Sequence, residues 1–261
     1  LRTALHDDDP QVREFAAGLT RTATSDADQM WSDLAALSTD TSPAVRHAAA
    51  LALGDSSRDE AASLLAKIAA QSEHDEWDRL AILSGISGRY KTFINDYLEA
   101  SDSVDPLLMR PIGRMMALDL PASDTEAMVD RVLAYSTDAE TWNREYLLGV
   151  LGATNLNAND KAPLTSLAAK LSTTASEHLS NLIEIARAES NVSTSAVEFL
   201  GYADFATVGP DVSALLSVTT PTAIQQEAVR ALFRLDPDQA ATVVLDGKTW
   251  AGCTAQVRDT I

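Results

Sequence analysis

Thiols, glycines and aromatic side chains are all scarce in this sequence of 261 residues. Cys253 is the only cysteine, so no disulfide framework can form and the haem attachment motif Cys-x-x-Cys-His is absent. Eleven glycines are few for an all-β fold with many tight turns. Aromatic residues make up only 5% of the chain, and much of its apolar content is Ala and Leu, which favours closely packed helices.

Positive charge is also scarce, because five Lys and 15 Arg stand against 38 acidic residues, for a net charge of −18. A surface this acidic repels phosphate groups, so the composition argues against nucleic-acid binding. The simpler interpretation of the charge is a soluble, self-repelling surface. The alternative is an acidic groove that accepts a cationic partner.

Long apolar runs are missing as well, since none approaches the roughly 20 residues that span a bilayer. We therefore expect no membrane contact by this segment, and we expect a monomer. No signal peptide is visible. The chain opens within a helical pattern at Leu1 and stops within another at Ile261. From these ends we expect a fragment of a larger multidomain protein, with a single repeat domain over residues 1–261.

An internal repeat is the clearest positive signal in the sequence. The segment Asp9–Ala17 recurs 33 residues later as Ser42–Ala50, and a related segment, Glu76–Leu83, follows after a similar interval. A period near 33 residues is typical of helical-hairpin repeats. Further copies are Pro106–Arg110, Trp142–Leu148, Ser176–Leu179, Ser193–Leu200, Ile224–Leu232 and Ala255–Arg258.

One copy of the repeat has the pattern of two amphipathic helices. Asp or Ser before Pro supplies an N-cap, and Pro fits the first helical turn. The spacing then predicts an inward apolar face made of Val12, Phe15, Ala16 and Leu19, repeated as Val45, Ala48, Ala49, Ala52 and Leu53. A second helix over 59–70 is expected to bury Ala62, Leu65, Ala66, Ile68 and Ala69.

Two helices per repeat cannot bury both of their apolar faces alone, so neighbouring repeats must stack. We therefore predict an all-α fold, a right-handed superhelix of about eight helical hairpins. Gly54 and Gly88 are expected to end helices in the left-handed conformation. The four tryptophans are expected to pack between repeats rather than to form a recognition stripe.

The Asp-Pro-x-Val-Arg pattern resembles the HEAT-repeat family. A more particular resemblance, carried by 42–84, 196–201 and 226–258, is to the HEAT region of multidomain proteins of planctomycetes and related bacteria. Those proteins are named membrane-bound dehydrogenases or haem-binding proteins. The resemblance implies a periplasmic or cell-envelope parent that joins a dehydrogenase-like propeller, this solenoid and a cytochrome c domain. The middle of the chain, about 101–190, departs most from the pattern.

The HEAT resemblance also implies a structural ladder of acidic and arginine side chains along the stack. The residues that match it are Asp9, Arg13, Asp40, Arg46, Asp75, Arg79, Arg144 and Arg258. The alternative function for the arginines is a row of anion-binding sites. We favour the ladder because the arginines recur with the repeat.

No catalytic, cofactor-binding or metal-binding residue is identified from the sequence. The run Asp7–Asp9 lacks the alternating ligands of a calcium loop, so a solvated turn is the better interpretation. A second cluster, Glu73–Asp78, contains one His without a second His nearby, which again favours a solvated loop over a metal site. The triplet Asn191–Ser193 matches a glycosylation sequon, a pattern that often arises by chance.

Two functions from different classes remain open at this point. The first is a non-catalytic scaffold that binds a protein or a neighbouring domain. Its candidate concave face is represented by Glu14, Arg21 and His47, which point outward from the helices that Pro-x-Val-Arg opens. The second is a catalytic solenoid resembling a bilin lyase or a DNA glycosylase, and the strongly negative charge argues against the glycosylase. We expect no cofactor in this segment.

Overall fold

A computed structural model describes residues 1–22, 27–72, 75–135, 141–156, 165–188 and 193–259. Helices make up 79% of the chain, and the described residues contain no strand. The predicted all-α class is therefore confirmed, with neighbouring helices packed as in a solenoid. The chain divides into two compact units, Leu1–Pro121 and Ala122–Ile261. The expectation of a single domain over residues 1–261 stays a prediction.

The first unit consists of two layers of helices. One layer contains α1, α3, α5 and α7, each of which packs on the next, and the other contains α2, α4 and α6. A 3-10 helix, Arg2–His6, precedes them, and a second, Leu37–Thr39, extends α2 and packs on α4. The helices are α1 Pro10–Thr20, α2 Ala27–Ala36, α3 Pro43–Gly54, α4 Ala61–Gln71, α5 Glu76–Gly85, α6 Tyr90–Ala100 and α7 Pro106–Asp119.

The helices of the first layer begin where the caps predict. Asp9 accepts a hydrogen bond from the Gln11 N–H at 2.9 Å, and Pro10 occupies the first turn of α1. Asp105 caps α7 in the same way, through the Leu107 N–H. Ser42 occupies the cap position of α3, but its side chain makes no capping hydrogen bond. Its backbone N–H instead donates to the carboxylate of Asp40, which therefore fixes the turn that precedes α3.

The core of the first unit lies between the two layers. All five residues predicted to face inward on α4, Ala62, Leu65, Ala66, Ile68 and Ala69, are buried. They pack against α6, which buries two tyrosines and a phenylalanine. Small residues on α4 let the α6 backbone come close, and the aromatic rings fill the remaining volume.

The predicted inward face of α1 is wrong for three of its four residues. Ala16 is buried, but Val12, Phe15 and Leu19 are exposed. The helix packs on α3 through a face rotated from the predicted one, which buries Ala16 and Ala17. In α3, which lies between α1 and α5, Val45, Ala49, Ala52 and Leu53 are buried and Ala48 is half-buried. The spacing identified both helices, but it could not identify how many sides of each are covered.

The two glycines predicted as left-handed caps have different roles. Gly88 has a φ of 72° and lies in the turn before α6, as predicted, although α5 already ends at Gly85. Gly54 ends α3 without a positive φ, so that prediction is wrong. Gly54 is needed for a close approach, because a Cβ placed there would lie 2.9 Å from the Gly85 Cα.

The second unit repeats the same construction with less regular helices. In one layer α9 packs on α12, and α12 on α14, while α11, α13 and α15 pack against their sequence neighbours. The helices are α8 Ala122–Tyr135, α9 Thr141–Leu156, α10 Thr165–Glu177, α11 Leu179–Arg187, α12 Ser193–Leu200, α13 Phe205–Ser213, α14 Thr222–Leu235, α15 Pro237–Val244, α16 Gly247–Gly252 and α17 Ala255–Arg258.

A buried glutamine joins three segments of the second unit. The Gln225 side chain donates to the carbonyl oxygens of Ser217 and Thr220, at 2.6 and 2.9 Å. Its side-chain oxygen accepts from the N–H of Thr254, which precedes α17. Because these polar atoms are satisfied inside the unit, Gln225 can be fully buried next to apolar neighbours.

The tryptophans do not share one role, so the packing prediction holds only in part. Trp142 is buried on α9, and Trp31 is partly covered by the guanidinium of Arg58, 5.2 Å from its ring centroid. Trp77 is 71% exposed and Trp250 is 37% exposed. Trp77 is therefore not a core residue.

Candidate binding face of the first unit

Equivalent positions of α1, α3 and α5 form one exposed face of the first layer. Glu14, His47 and Leu80 occupy the same repeat position at intervals of 33 residues, and none of them is buried. We call this surface, together with the exposed side of α7, the outer face. It includes Gln11, Glu14, Phe15 and Gly18 of α1, Ala44, His47, Ala48 and Leu51 of α3, Trp77, Leu80 and Ser84 of α5, and Leu107, Arg114 and Leu118 of α7.

The outer face carries large apolar side chains that the core does not use. Phe15, Trp77, Leu80 and Leu107 are between 51% and 71% exposed, the highest values for large apolar residues among the described part of this unit. Single exposed apolar residues are ordinary on protein surfaces, whereas large contiguous apolar patches are typical of interaction surfaces. Trp77 and Leu107 occupy equivalent positions of α5 and α7, and Leu80 occupies the position of Glu14 and His47, beside which Phe15 lies.

A groove of about 520 Å³ crosses the outer face between α1 and α3. All three residues predicted for the concave face, Glu14, Arg21 and His47, line this groove. The structure thus brings them together, although their use in binding stays a prediction. The remaining lining residues are Gln11, Phe15, Gly18, Leu19, Ala48 and Leu51.

Two of the three residues predicted for the concave face, Arg21 and His47, are already engaged within the chain. Arg21 forms an ion pair with Asp55, with 2.5 Å between Nε and Oδ2. The Nδ1 atom of His47 lies 3.0 Å from the Asp78 carboxylate on α5, and Ser72 donates to the other oxygen of Asp78 at 2.9 Å. A carboxylate oxygen can only accept, so Nδ1 carries a proton in this pair. The ring nitrogen left for a ligand is therefore Nε2.

The ladder arginines of the first unit make two kinds of contact, one with carboxylates and one with backbone oxygens. Arg13 of α1 holds the Asp40 carboxylate with two hydrogen bonds, at 2.7 and 2.8 Å, and Arg79 of α5 reaches Asp105 at 3.2 Å. Arg46 of α3 donates to the backbone oxygens of Asp40, Thr41 and Gln71. Each of these arginines thus ties its own helix to the segment that precedes the next helix of the layer.

The acidic partners differ from the predicted set. Asp40 accepts from Arg13, whereas Asp9 and Asp75 cap their own helices. Asp75 accepts from the N–H groups of Trp77 and Asp78 and so fixes the start of α5. The partner of Arg79 is Asp105, the N-cap of α7, because a ladder arginine reaches forward to the next helix of its layer rather than back to its own cap.

The two ladder arginines of the second unit have other surroundings. Arg144 is fully buried on α9, and its Nε lies 3.4 Å from the Ser195 hydroxyl of α12. This contact reaches α12, the neighbouring helix of the layer. Arg258 lies partly buried on α17 near Cys253.

The carboxylate run Asp7–Asp9 forms the turn before α1. Within this turn Asp7 accepts from the Asp9 N–H, and Arg13 donates to the carbonyl oxygens of Asp7 and Asp8. In the described part of the chain, no group of three His, Cys, Asp or Glu residues could hold a metal ion. Glu73 and His74 of the second acidic cluster, and Asn191 of the sequon, lie outside the described residues.

The sequence pattern does not identify Phe15, Trp77 and Leu80 as surface candidates, since it assigns Phe15 and Trp77 to packing. A signal for one of them was present, because Leu80 shares the repeat position of Glu14 and His47. A charged or polar residue in two copies of a slot indicates that the slot faces solvent, so a leucine in the third copy should have been assigned to the surface. Phe15 offered no such signal, since Ala48 and Ala81 occupy its slot.

The fold and the face define a class of protein: stacked pairs of helices with an exposed apolar face on one of the two helix layers. Residues 1–87 match a family model described as HEAT repeats. The match covers α1 to α5, and therefore the groove and most of the outer face. Proteins built from HEAT repeats are generally protein-interaction scaffolds. No curated protein matches the chain. Among the described helices, none is long and apolar enough to cross a membrane.

Proposed function

We propose that this chain is a protein-interaction module that acts by binding rather than by catalysis, through the outer face of its first unit. One observation carries the proposal: Phe15, Trp77, Leu80 and Leu107 are all more than half exposed on the same side of one helix layer. Large aromatic side chains are the residues whose burial contributes most at protein interfaces.

Capping residues and ion pairs hold the helices of the outer face in place. Carboxylates cap three of its helices, at Asp9, Asp75 and Asp105, and the ion pairs of Arg13 and Arg79 link α1 and α5 to the segment before the next helix of the layer. A partner that binds a rigid surface does not have to order it, so more of the contact energy appears as affinity.

A peptide-display selection tests the proposed function directly. A library of random peptides of about 12 residues, long enough to cross two helices, is selected against the 261-residue chain. The enriched peptides are then measured with the double variant Phe15→Ser/Trp77→Ser. The matched control is Val218→Ser/Leu245→Ser, which removes apolar side chains of similar exposure, 71% and 64%, from the second unit.

We expect the first variant to weaken binding about tenfold or more, because it removes two aromatic contacts, and the control to leave binding unchanged. Circular dichroism should show no change in either variant, since all four side chains are exposed. Failure to enrich any peptide, or equal binding by both variants, would contradict the proposal.

The more specific role that the resemblance implies is a separate proposal. In it, the solenoid spaces a dehydrogenase-like propeller from a cytochrome c domain within one exported protein, and any haem lies outside this segment. The sequence on both sides of the 261 residues is the decisive observation. Flanking sequence that encodes neither domain would contradict this role and leave the binding module unaffected.

A further inference from the structure

We propose that the groove between α1 and α3 holds an apolar side chain from a cationic segment of a partner protein, with Glu14 and His47 as its polar contacts. This proposal rests on the proposed function and names the chemistry of the partner. It differs from a general apolar surface because the groove has a definite shape, a definite charge and a hydrogen-bonding atom of fixed orientation.

The apolar part of the groove comes from both helices. Phe15 and Leu19 of α1 face Ala48 and Leu51 of α3, and Phe15 is 70% exposed. Gly18 leaves room between them, because a Cβ placed there would meet nothing within 4 Å. The groove is open to solvent, and its volume of about 520 Å³ is large enough for one large apolar side chain to lie in it.

The charge of the groove favours a cation. Arg21 is neutralised by Asp55, whereas Asp78, which is not part of the lining, accepts hydrogen bonds from His47 and Ser72 and keeps its negative charge. Among the described residues, none forms an ion pair with the Glu14 carboxylate, which leaves Glu14 as the uncompensated charge of the groove. The whole chain carries a net charge of −18, so long-range attraction acts in the same direction.

His47 adds a directional contact. Asp78 holds its Nδ1 and thereby orients the ring that lines the groove. With Nδ1 protonated in a neutral ring, Nε2 is an acceptor, and a Lys or Arg side chain or a backbone N–H can donate to it. Asp78 is thus a positioning residue, and it acts on the partner only through His47.

The outer face sets a minimum length for the partner segment. Adjacent packed helices lie about 8–10 Å apart, so the distance from α1 to α5 is about 16–20 Å. An extended segment needs about six residues to cover that distance, at about 3.3 Å per residue. A segment anchored at Phe15 that continues past His47 can therefore also reach Trp77, but a very short peptide cannot.

The composition of display-selected peptides is the first test. From the same random library, we expect the peptides that bind the outer face to combine Lys or Arg with Leu, Phe or another large apolar residue. Peptides enriched in Asp and Glu would overturn the proposal. Such a result would still support the proposed function if those peptides lost affinity on Phe15→Ser/Trp77→Ser.

Site-specific variants are the second test, measured by fluorescence polarisation with the best cationic peptide. Glu14→Gln should weaken binding about fivefold to tenfold, whereas Glu60→Gln, which removes the same charge from the exposed start of α4, should change it less than about twofold. Gly18→Leu fills the groove and should abolish binding, while Gly18→Ala should be tolerated. Asp78→Asn should weaken binding less than His47→Ala does.

Equal effects of Glu14→Gln and Glu60→Gln would show that only net charge matters and would overturn the groove proposal. Undiminished binding by Gly18→Leu would overturn it as well. A peptide that depends on Trp77 but not on Glu14 or Gly18 would retain the proposed function and move the site away from the groove. The absence of any selected peptide would contradict both proposals.

Discussion

Two glycines of the first layer, Gly18 and Gly54, are in opposite situations, although both lie in helices. Gly18 is exposed inside α1, and a Cβ there would meet no atom within 4 Å. Gly54 is the last residue of α3, and a Cβ there would lie 2.9 Å from the Cα of Gly85. Helix propensity decides the effect of a side chain at the first position, and close packing decides it at the second.

We therefore expect Gly18→Ala to raise the free energy of unfolding by about 0.5–1 kcal/mol, because alanine restricts the unfolded chain and favours the helix. Gly54→Ala should lower it by about 1–3 kcal/mol, because the α3 and α5 backbones must separate. Urea denaturation of both variants measures the two changes. A stabilised Gly54→Ala variant would contradict the close approach of these helices.

At the scale of elements, the ion pair between Arg13 and Asp40 links α1 to the turn before α3. The guanidinium of Arg13, through its hydrogen bonds to the carboxylate, lowers the pKa of Asp40 below its ordinary value. The turn that follows Asp40 is fixed as well, because the same carboxylate accepts from the Ser42 N–H. The Asp40 side chain therefore fixes both the contact between α1 and α3 and the start of α3.

The lowered pKa predicts a specific dependence on acidity. A carboxyl group with a depressed pKa in the folded state stabilises the fold above the unfolded-state value of about 3.9 and loses that contribution as the pH falls further. Asp40→Asn should lower the melting temperature by about 2–4 °C at pH 7 and make the melting temperature less dependent on pH below about 4.

Thermal melts of wild type and Asp40→Asn from about pH 2 to pH 7 provide the measurement. The control is Asp8→Asn, an exposed carboxyl of the turn before α1, which should follow the wild-type curve. Parallel curves for wild type and Asp40→Asn over the whole range would contradict the stabilising role of this pair.

At the scale of the whole molecule, negative charge is the dominant property of the surface. The net charge of −18 opposes any ligand that presents phosphate groups, since binding would add repulsion instead of releasing counterions. Cationic partners are attracted by the same field, and their association should be faster at low ionic strength.

We expect the purified chain to bind no DNA at physiological salt, and no haem, nicotinamide or flavin. Haem attachment requires two thiols and this chain has one, and dinucleotide sites require a Gly-rich turn between a strand and a helix. Mobility-shift, absorbance and fluorescence titrations measure these affinities. Stoichiometric binding of any of these ligands would contradict the proposal of a binding module without cofactors.

Much of the local structure could be predicted from the sequence. The 33-residue period and the Asp-Pro or Ser-Pro starts identified α1 and α3, and the Ala-rich pattern over 59–70 predicted α4 with all five of its inward residues. Glu14, Arg21 and His47 line one groove, because outward positions of equivalent helices fall on the same side, and their assignment to a concave binding face stays a prediction. Periodicity and capping are local properties, so a single sequence contains them.

The exposure of individual apolar side chains depended on which helices pack against each helix. Phe15 and Leu19 have apolar side chains at helical spacing, yet they are exposed, because α1 packs through Ala16 and Ala17 instead. Trp77 is exposed for a related reason: its slot in the repeat faces solvent, whatever residue occupies it. Hydrophobic spacing indicates an apolar face, but only packing decides whether that face is covered.

The amino-acid sequence alone determined the helical class, the repeat length, the helix starts and the sign of the surface charge, since each follows from side-chain chemistry and short-range spacing. Tertiary structure decided that Arg79 pairs with Asp105 and not Asp75, that His47 is oriented by Asp78, and that Gly18 opens a groove between two helices. The first two contacts join residues 26 and 31 positions apart, and the groove depends on the rotation of α1 against α3. Only the packed stack of helices sets these distances and rotations.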